Sequence, residues 1–568
     1  MSRLRIARAE LFGLLTILAA AAVLRFANLG ARGGWDSDQG NQMLGVWTAL
    51  KTGHLPQVGP LSSIGTFHHG ALTYDLWLPA AWLGNGDPTF VVAETALGGV
   101  LVVALVWWTA RTIGGRSAGL ITALLAAVSA SLIGYSTFIW NPTLIEPGAA
   151  LAVFATWQAW RKRDPRWWPV AAIGLAVVMQ AHIAGPMLAI PIGGAFVASI
   201  WRGPADTRRR QLAWGLASAA LIAVTYLPFL AYELDHDFAE TRAIVAYFGS
   251  PDSVARFAPP LRILLATVRI LAWPLTDWPL IGLREAFLVA GTVALSIVLG
   301  LIWRVVVIRR ELAAHREQAA QREPAAQREP ADQPEAARIF ATEPGSQATD
   351  DGDIRAGDDP SLADRRDGLA LVGVGLFVLI VVPGLLLRNV AEVQELPTEQ
   401  YHAYADPLAL IAAGLVLGGL WQTRRAWRGV RLGRLVVTVA LAGLVAWNAT
   451  RLPPLTAPDG GWPAAHAAAQ RLEADARGGA IAFVALPAIK GADAYIYPLT
   501  YDGATLTTPG GAATVVVLCD SFWVETGCGD SAAEAGWLVE ASAGQGLTLV
   551  ERFSPAPYRT LSVYRRTP

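Results

Sequence analysis

The chain has 568 residues; 53% of them are hydrophobic, only 16% are charged, and the mean hydropathy is +0.39. Setting aside the 12 Tyr and adding the 55 Gly brings the apolar share to roughly 61%, against about 45–50% in soluble domains. That excludes an ordinary soluble enzyme and a disordered chain. The 45 Lys+Arg against 45 Asp+Glu exclude a basic nucleic-acid binder, and the 2 Cys exclude a disulfide scaffold. So much apolar surface requires a bilayer.

A spanning helix needs about 20 mostly apolar residues with few charges. In chain order the qualifying runs are Leu11–Phe26, Phe90–Thr109, Ala118–Tyr135, Leu144–Trp160, and Val170 to Ile200 as a pair broken near His182. Leu212–Leu230, Phe287–Trp303, Leu369–Leu387, Pro407–Trp421 and Leu435–Trp447 follow. Together they predict about eleven transmembrane helices. The first run follows Arg3, Arg5 and Arg8 as a signal peptide does. However, Val23-Leu-Arg-Phe-Ala-Asn28 has no small-x-small cleavage site, so the run reads as an anchor.

Orientation follows from where Lys and Arg sit in the short loops. Clusters at Arg3/Arg5/Arg8, Arg111/Arg116, Arg161–Arg166, Arg202–Arg210, Arg304–Arg310 and Arg424–Arg434 read as cytoplasmic, and the spans then alternate without conflict. The N-terminus is cytoplasmic on this reading and the C-terminus is outside, in the cell membrane. The Ala/Arg/Gly-rich composition suggests a bacterial inner membrane.

The chain then divides into a membrane domain at 1–303 with an outward loop at 29–86, a cytoplasmic linker at 304–368, the last spans at 369–450, and a tail at 451–568. The linker carries the near-repeat Arg322-Glu-Pro-Ala-Ala-Gln327, Arg328-Glu-Pro-Ala-Asp-Gln333 and reads as disordered. The tail reads as an extracytoplasmic α/β domain, with a helix at Trp462–Ala476 and strands at Ile481–Leu486, Val515–Leu518, Leu547–Val550 and Thr560–Tyr564. Cys519 and Cys528 both fall in it. The compartment permits a disulfide, and two buried thiols are the other reading.

Chemistry-bearing residues gather at the outward ends of the spans. The first loop holds Trp35-Asp-Ser-Asp-Gln39, after which Met43, Leu44, Trp47 and Leu50 recur at helical spacing. That spacing suits an amphipathic helix along the membrane surface, with Asp38 its N-cap or first-turn residue. Phe67-His-His-Gly70, with Tyr74 and Asp75 just beyond, closes the loop. His68 and His69 are candidates for a metal or a phosphate contact, or plain interfacial side chains. Asn141-Pro142 starts a span with Glu146 one turn inside it. A carboxylate at that depth points to a cavity or a partner, as Glu94 does less strongly. His182 sits at the helical break, and Glu399-Gln-Tyr-His-Ala-Tyr-Ala-Asp-Pro407, with Tyr401 and His402, enters a late span from the same side.

This arrangement resembles the integral-membrane glycosyltransferases with the GT-C fold, in the protein mannosyltransferase and aminoarabinose transferase (PMT/ArnT-like, family 39) group. Asp38-Gln39 and Lys51-Thr-Gly53 match that family's acidic pair and the Gly ending the following helix. His69-Gly-Ala-Leu-Thr-Tyr74 resembles its loop-closing motif, and Arg111-Thr-Ile-Gly-Gly-Arg116 and Tyr135–Pro142 follow in its order. Gln39 stands where the family has a second acid, Asn141 where an Asp is common, and Ala71 where a Pro is. The resemblance covers roughly residues 10–200; beyond them it is one of topology to about 450.

The resemblance implies a polytopic α-helical, GT-C-like protein. It would transfer a sugar from a polyprenyl-phosphate donor to an acceptor glycan, lipid or protein on the outer face, with inversion. Asp38 is the expected general base, with Asp36 beside it. His68, His69, Tyr74, Asn141, Glu146, Tyr401 and His402 are expected to bind substrate, and a divalent cation is the one cofactor candidate. The rival readings are a transporter or flippase for polyprenyl-linked lipids and a non-catalytic assembly subunit. The two halves show no internal symmetry of the transporter kind.

Overall fold

A computed structural model describes residues 7–62, 67–249, 258–277, 284–326, 360–386, 399–423, 426–427, 430–486, 491–521, 534, 536, 538–539 and 546–566. Six of its helices are long and apolar enough to cross a membrane, or seven if one bent pair is a single span. Hydropathy alone predicted about eleven. The difference arises because polar breaks shorten several apolar runs into pieces below spanning length.

The first long helix, α1 (Arg8–Phe26), is followed by the single turn α2 (Leu29–Arg32), by α3 (Ser37–Thr52) and by α4 (Leu72–Leu83). Then come α5 (Pro88–Gly114), α6 (Arg116–Val128) and α7 (Ala130–Tyr135). The run expected at Ala118–Tyr135 is thus split at Ser129, whose hydroxyl accepts from Leu132 N–H and caps the second piece. Arg25, fully buried, donates from its guanidinium to the freed carbonyls of Ala126 and Ala127 at 3.1 Å. The hairpin α8 (Ile145–Lys162) and α9 (Trp167–Ala181) approaches most closely at Gly148 and Gly174, where a Cβ would meet the facing backbone carbonyl at 2.9 and 2.5 Å.

After the break at His182 come α10 (Ala189–Arg202), then α11 (Ala205–Thr225) and α12 (Leu227–Asp235), which bend by 49°. Next are α13 (Ala239–Gly249), α14 (Pro259–Thr276), α15 (Arg284–Ala326) and α16 (Leu362–Leu386). The helix α17 (Asp406–Trp421) is the centre of the bundle, 89% of its apolar window being enclosed by protein. Following it, α18 (Leu432–Ala449) is the last membrane helix, reached through a small ribbon of β1 (Ala426–Trp427) and β2 (Val430–Arg431).

Two helices of the membrane part also depart from the sequence expectation. α15 continues to Ala326, so the region expected to be a disordered linker from 304 begins as helix, built from strong helix formers such as Ala, Arg, Gln and Glu. The rest of that linker, 327–359, lies outside the described residues. The other is α14, which was not expected at all. It lies across one end of the bundle instead of spanning it. Near its start, Arg262 reaches Leu385 O at the end of α16, and Trp447 and Asn448 at the end of α18 donate to Thr276 O and Leu275 O, each at 2.7 Å.

The opposite end is held by a buried ion pair in which Arg111 grips Glu10 with two nitrogens, Nη2 at 3.1 Å from Oε2, and Arg116 approaches at 3.4 Å.

The tail folds as a small α/β unit with α19 (Gly461–Ala476), β3 (Ile481–Leu486), α20 (Asp493–Asp502), β4 (Thr514–Asp520), β5 (Leu547–Ala556) and β6 (Arg559–Arg566). Its sheet has the order β3-β4-β6-β5, with β3 and β4 parallel and the other pairs antiparallel. Cys519 is disulfide-bonded, and Cys528 lies outside the described residues. The unit seats directly on α3. A Cβ at Gly40 would fall 2.0 Å from Asp493 O, and Trp35, Trp462 and Tyr497 form one aromatic cluster with ring centroids 4.8 to 5.9 Å apart. α3 is therefore not a helix floating on a lipid surface as its spacing suggested. Met43 and Val46 are fully buried, between the tail domain and α4.

Candidate active site

The polar residues of the loops converge at the bundle end that carries α14 and the tail domain. The N-terminus of α3 is set by a capping box. Asp36 Oδ1 accepts from Asp38 N–H at 2.8 Å, while Gln39 Oε1 accepts from Asp36 N–H at 2.9 Å. Asp36 is thus the cap and Asp38 the first-turn residue. Asp36 faces the tail domain, where Arg559 gathers Asp36, Asp459 and Asp520 within 3.9 Å and donates to Trp35 O at 2.7 Å.

Asp38, partly exposed, shares a helix face with Gln42 one turn on. Gln42 Nε2 donates to Asn141 Oδ1 at 3.1 Å, and Asn141 Nδ2 donates to Ala181 O at 2.7 Å. This chain of amides fixes the Asp38 face of α3 against the start of α8 and the break after α9. Tyr74 packs against α3 at Gly45, where a Cβ would lie 2.7 Å from its ring, and so stays apart from the cluster below.

Residues 59–62 pair with residues 67–69, with Gly59 N–H donating to His69 O and His69 N–H to Pro60 O. This pairing carries the two histidines to different partners. His68 is held by Glu240 of α13, which accepts from its backbone N–H at 2.6 Å and contacts Nδ1 at 2.9 Å. His69 stacks on His182 with ring centroids 5.8 Å apart. His182 Nδ1 accepts from Ala184 N–H at 3.1 Å, which leaves Nε2 to carry the ring proton. Burial, with His68 alongside, lowers the His69 imidazole from 6.5 to about 4.

The folded protein therefore keeps His69 neutral where the unfolded chain protonates it. Its stabilising contribution is complete above pH 6.5 and is lost as pH falls toward about 4. His69→Gln is expected to flatten the dependence of melting temperature on pH in that window. A slope equal to that of the parent protein would assign the sensitivity to another group.

Beneath the histidines lies a buried ionic cluster. Arg269 of α14 pairs with Asp406, the first residue of α17, at 3.4 Å, both side chains 3% exposed or less. Glu146 on the first turn of α8 has Asp406, Arg25 and Arg269 as its electrostatic neighbours, and His402 has Arg269 and His182. Among the described residues Glu146 Oε1, Tyr404 OH and both ring nitrogens of His402 have no hydrogen-bond partner, although all are buried. Buried polar atoms of this kind are satisfied by ordered water, an ion or a ligand. The side chain of Tyr401, in the same turn as His402, lies outside the described residues. Near the cluster a small apolar pocket of about 20 Å³ lies between Val153, Leu188, Ile192, Leu371, Gly375 and Leu408.

Sequence reading missed Arg269, Asp406 and Arg25. The signal was present, since an arginine inside an apolar helix asks for a partner at the same depth, and Asp-Pro is a common way to start one. Among the described residues no three His, Cys, Asp or Glu side chains are placed to hold a metal ion.

Residues 73–232 match the family model of dolichyl-phosphate-mannose-protein mannosyltransferases. The fold matches ArnT from Cupriavidus metallidurans over 98% of both chains at 11% identity, with TM-scores of 0.54 for its apo state and 0.55 for its complex with undecaprenyl phosphate. The chain has an ArnT-like, GT-C-type membrane fold. No curated protein matches its sequence. The matched family segment runs from α4 to α12 in this GT-C protein. It contains Asn141, Glu146 and His182, and leaves Asp38, Arg269 and His402 outside.

Proposed function

We propose that the protein transfers a sugar from a polyprenyl-phosphate-linked donor to an acceptor hydroxyl at the extracytoplasmic boundary of the cell membrane. One observation carries this reading. A buried cluster with a guanidinium and imidazole nitrogens lies at one end of an apolar helical bundle, which suits an amphiphile with an anionic head and an isoprenoid body. The positive-inside distribution supports an outward orientation of that end of the bundle, where nucleotide sugars are not supplied and a lipid-linked donor has to serve.

In the proposed reaction the acceptor oxygen attacks the anomeric carbon as the bond to the phosphate oxygen breaks, through an oxocarbenium-like state and with inversion. Asp38 takes the hydroxyl proton, and the polyprenyl phosphate leaves with the bonding electrons. The leaving phosphate gains a negative charge, which Arg269, His402 and the His69–His182 pair are placed to stabilise by preorganised donors. Arg269 takes the role first expected of His68, whose ring and N–H are already held by Glu240. Asp36, engaged as a cap and facing Arg559, is assigned to structure. Asp36→Ala is accordingly expected to lower stability by about 1 kcal/mol in a detergent melting curve while transfer continues, and Asp36→Ser to restore the loss.

The test is reconstitution of the purified protein in vesicles with polyprenyl-phosphate donors carrying labelled sugar. Release of free polyprenyl phosphate matched by label in a hydroxyl acceptor supports the reading. Movement of intact donor between leaflets without cleavage replaces it with a flippase.

A further inference from the structure

The hydrogen bonds around the end of α9 meet on one side chain that neither the family motifs nor the proposed chemistry assigns. Gln180 is 1% exposed. Its carbonyl accepts from Gly70 N–H at 3.2 Å and its Oε1 from Leu72 N–H at 3.2 Å, so two of its oxygens hold the loop segment that directly follows His69. Its Nε2 donates to Thr225 Oγ1 at 2.8 Å and to Thr225 O at 3.2 Å, at the bend between α11 and α12. The fit is close enough to exclude a side chain opposite it, since a Cβ on Gly70 would lie 2.4 Å from Gln180 Oε1. Two residues further on is His182, the ring on which His69 stacks.

We infer that Gln180 is a positioning residue that sets the distance between His69 and His182, and through them the seat of the donor phosphate. This rests on the proposed function for its consequence in catalysis, but not for the geometry itself. The two imidazoles come from segments far apart in sequence, and the loop pairing alone does not fix their spacing. One residue joins them, its backbone carbonyl and side-chain Oε1 binding the loop while its Nε2 ties α9 to the α11–α12 bend. A displacement of about 1 Å at such a pair is enough to cost on the order of 10²-fold in rate.

The test compares three variants in full-length protein. Gln180→Met keeps length and loses every side-chain bond; Gly70→Ala forces the loop off an intact Gln180; Thr225→Val removes only the hydroxyl at the bend. The first two are expected to lower kcat for a polyprenyl-phosphate donor by about 10–100-fold with acceptor KM unchanged. Thr225→Val is expected to behave as wild type, because Nε2 keeps the Thr225 carbonyl.

A second readout is independent of turnover. Alkylation of a His69→Cys probe by a water-soluble maleimide is expected to speed up when Gln180→Met is added. Wild-type kcat in Gln180→Met and Gly70→Ala, or a lower melting temperature with unchanged alkylation, overturns the inference. If the wild-type protein transfers no sugar, the proposed function fails, and the alkylation rate alone decides the role of Gln180.

Discussion

Asp38→Asn is expected to lower sugar transfer from a polyprenyl-phosphate donor by about 10²–10⁴-fold, the usual worth of a positioned general base. The substitution keeps the size and hydrogen-bonding capacity of the side chain and removes only its ability to take a proton. It leaves α3 intact, because the helix is capped by Asp36 and Gln39 and sealed against the tail domain at Gly40. The weakened interaction with the helix dipole costs about 0.3–1 kcal/mol. Melting temperature is therefore expected to stay nearly constant while the initial rate collapses. Rates from purified protein, normalised to a melting curve for each variant, separate the two effects. Undiminished transfer by Asp38→Asn would remove the carboxylate from the mechanism and move the base search to Glu146, whose Oε1 has no hydrogen-bond partner among the described residues.

Much of this architecture can be read from hydropathy, and the reasons for the exceptions are physical. α1, α5, α16, α17 and α18 are continuous apolar runs whose burial in lipid or in the bundle outweighs every local preference. α14 is hidden because Arg262 and Arg269 interrupt its apolar period, and those arginines are stable there only through partners, such as Asp406, that are distant in sequence. The short helix α20 contains Pro498 and is held by its aromatic seal against Trp47 and Trp35, which no local pattern reveals.

The same division holds at the site. Asp38, Asn141, Glu146 and His402 stand out from sequence because polar residues at the edge of apolar spans are costly. The roles of His68 and Asp36 depend on Glu240 and Arg559, 172 and more than 500 residues further along. A residue's type is visible in sequence, whereas its partner is a property of the fold.

Arg269 offers the second large effect, because it bears on stability and on donor binding at once. Arg269→Met removes the guanidinium paired with buried Asp406, beside Glu146, and Arg25 is already committed to carbonyls on α6. Breaking one half of such a pair costs about 3–5 kcal/mol, and a marked fall in melting temperature is expected. Arg269→Lys keeps the charge but not the planar fork, so it is expected to recover part of the stability and less of the donor affinity.

The informative variant is Arg269→Met combined with Asp406→Leu. Replacing both members by apolar groups removes the uncompensated charge, and such replacements are often neutral or even stabilising. Melting temperature is then expected to return toward that of the parent. If Arg269 holds the donor phosphate, affinity stays low by the about 1.5–3 kcal/mol of a charged hydrogen bond, read as an increase of roughly 10–100-fold in the Kd for polyprenyl phosphate. A double variant that is stable and binds polyprenyl phosphate as tightly as the wild type would reduce the Arg269–Asp406 pair to a structural staple, and would leave His402 and the His69–His182 pair as the remaining donors for the leaving group.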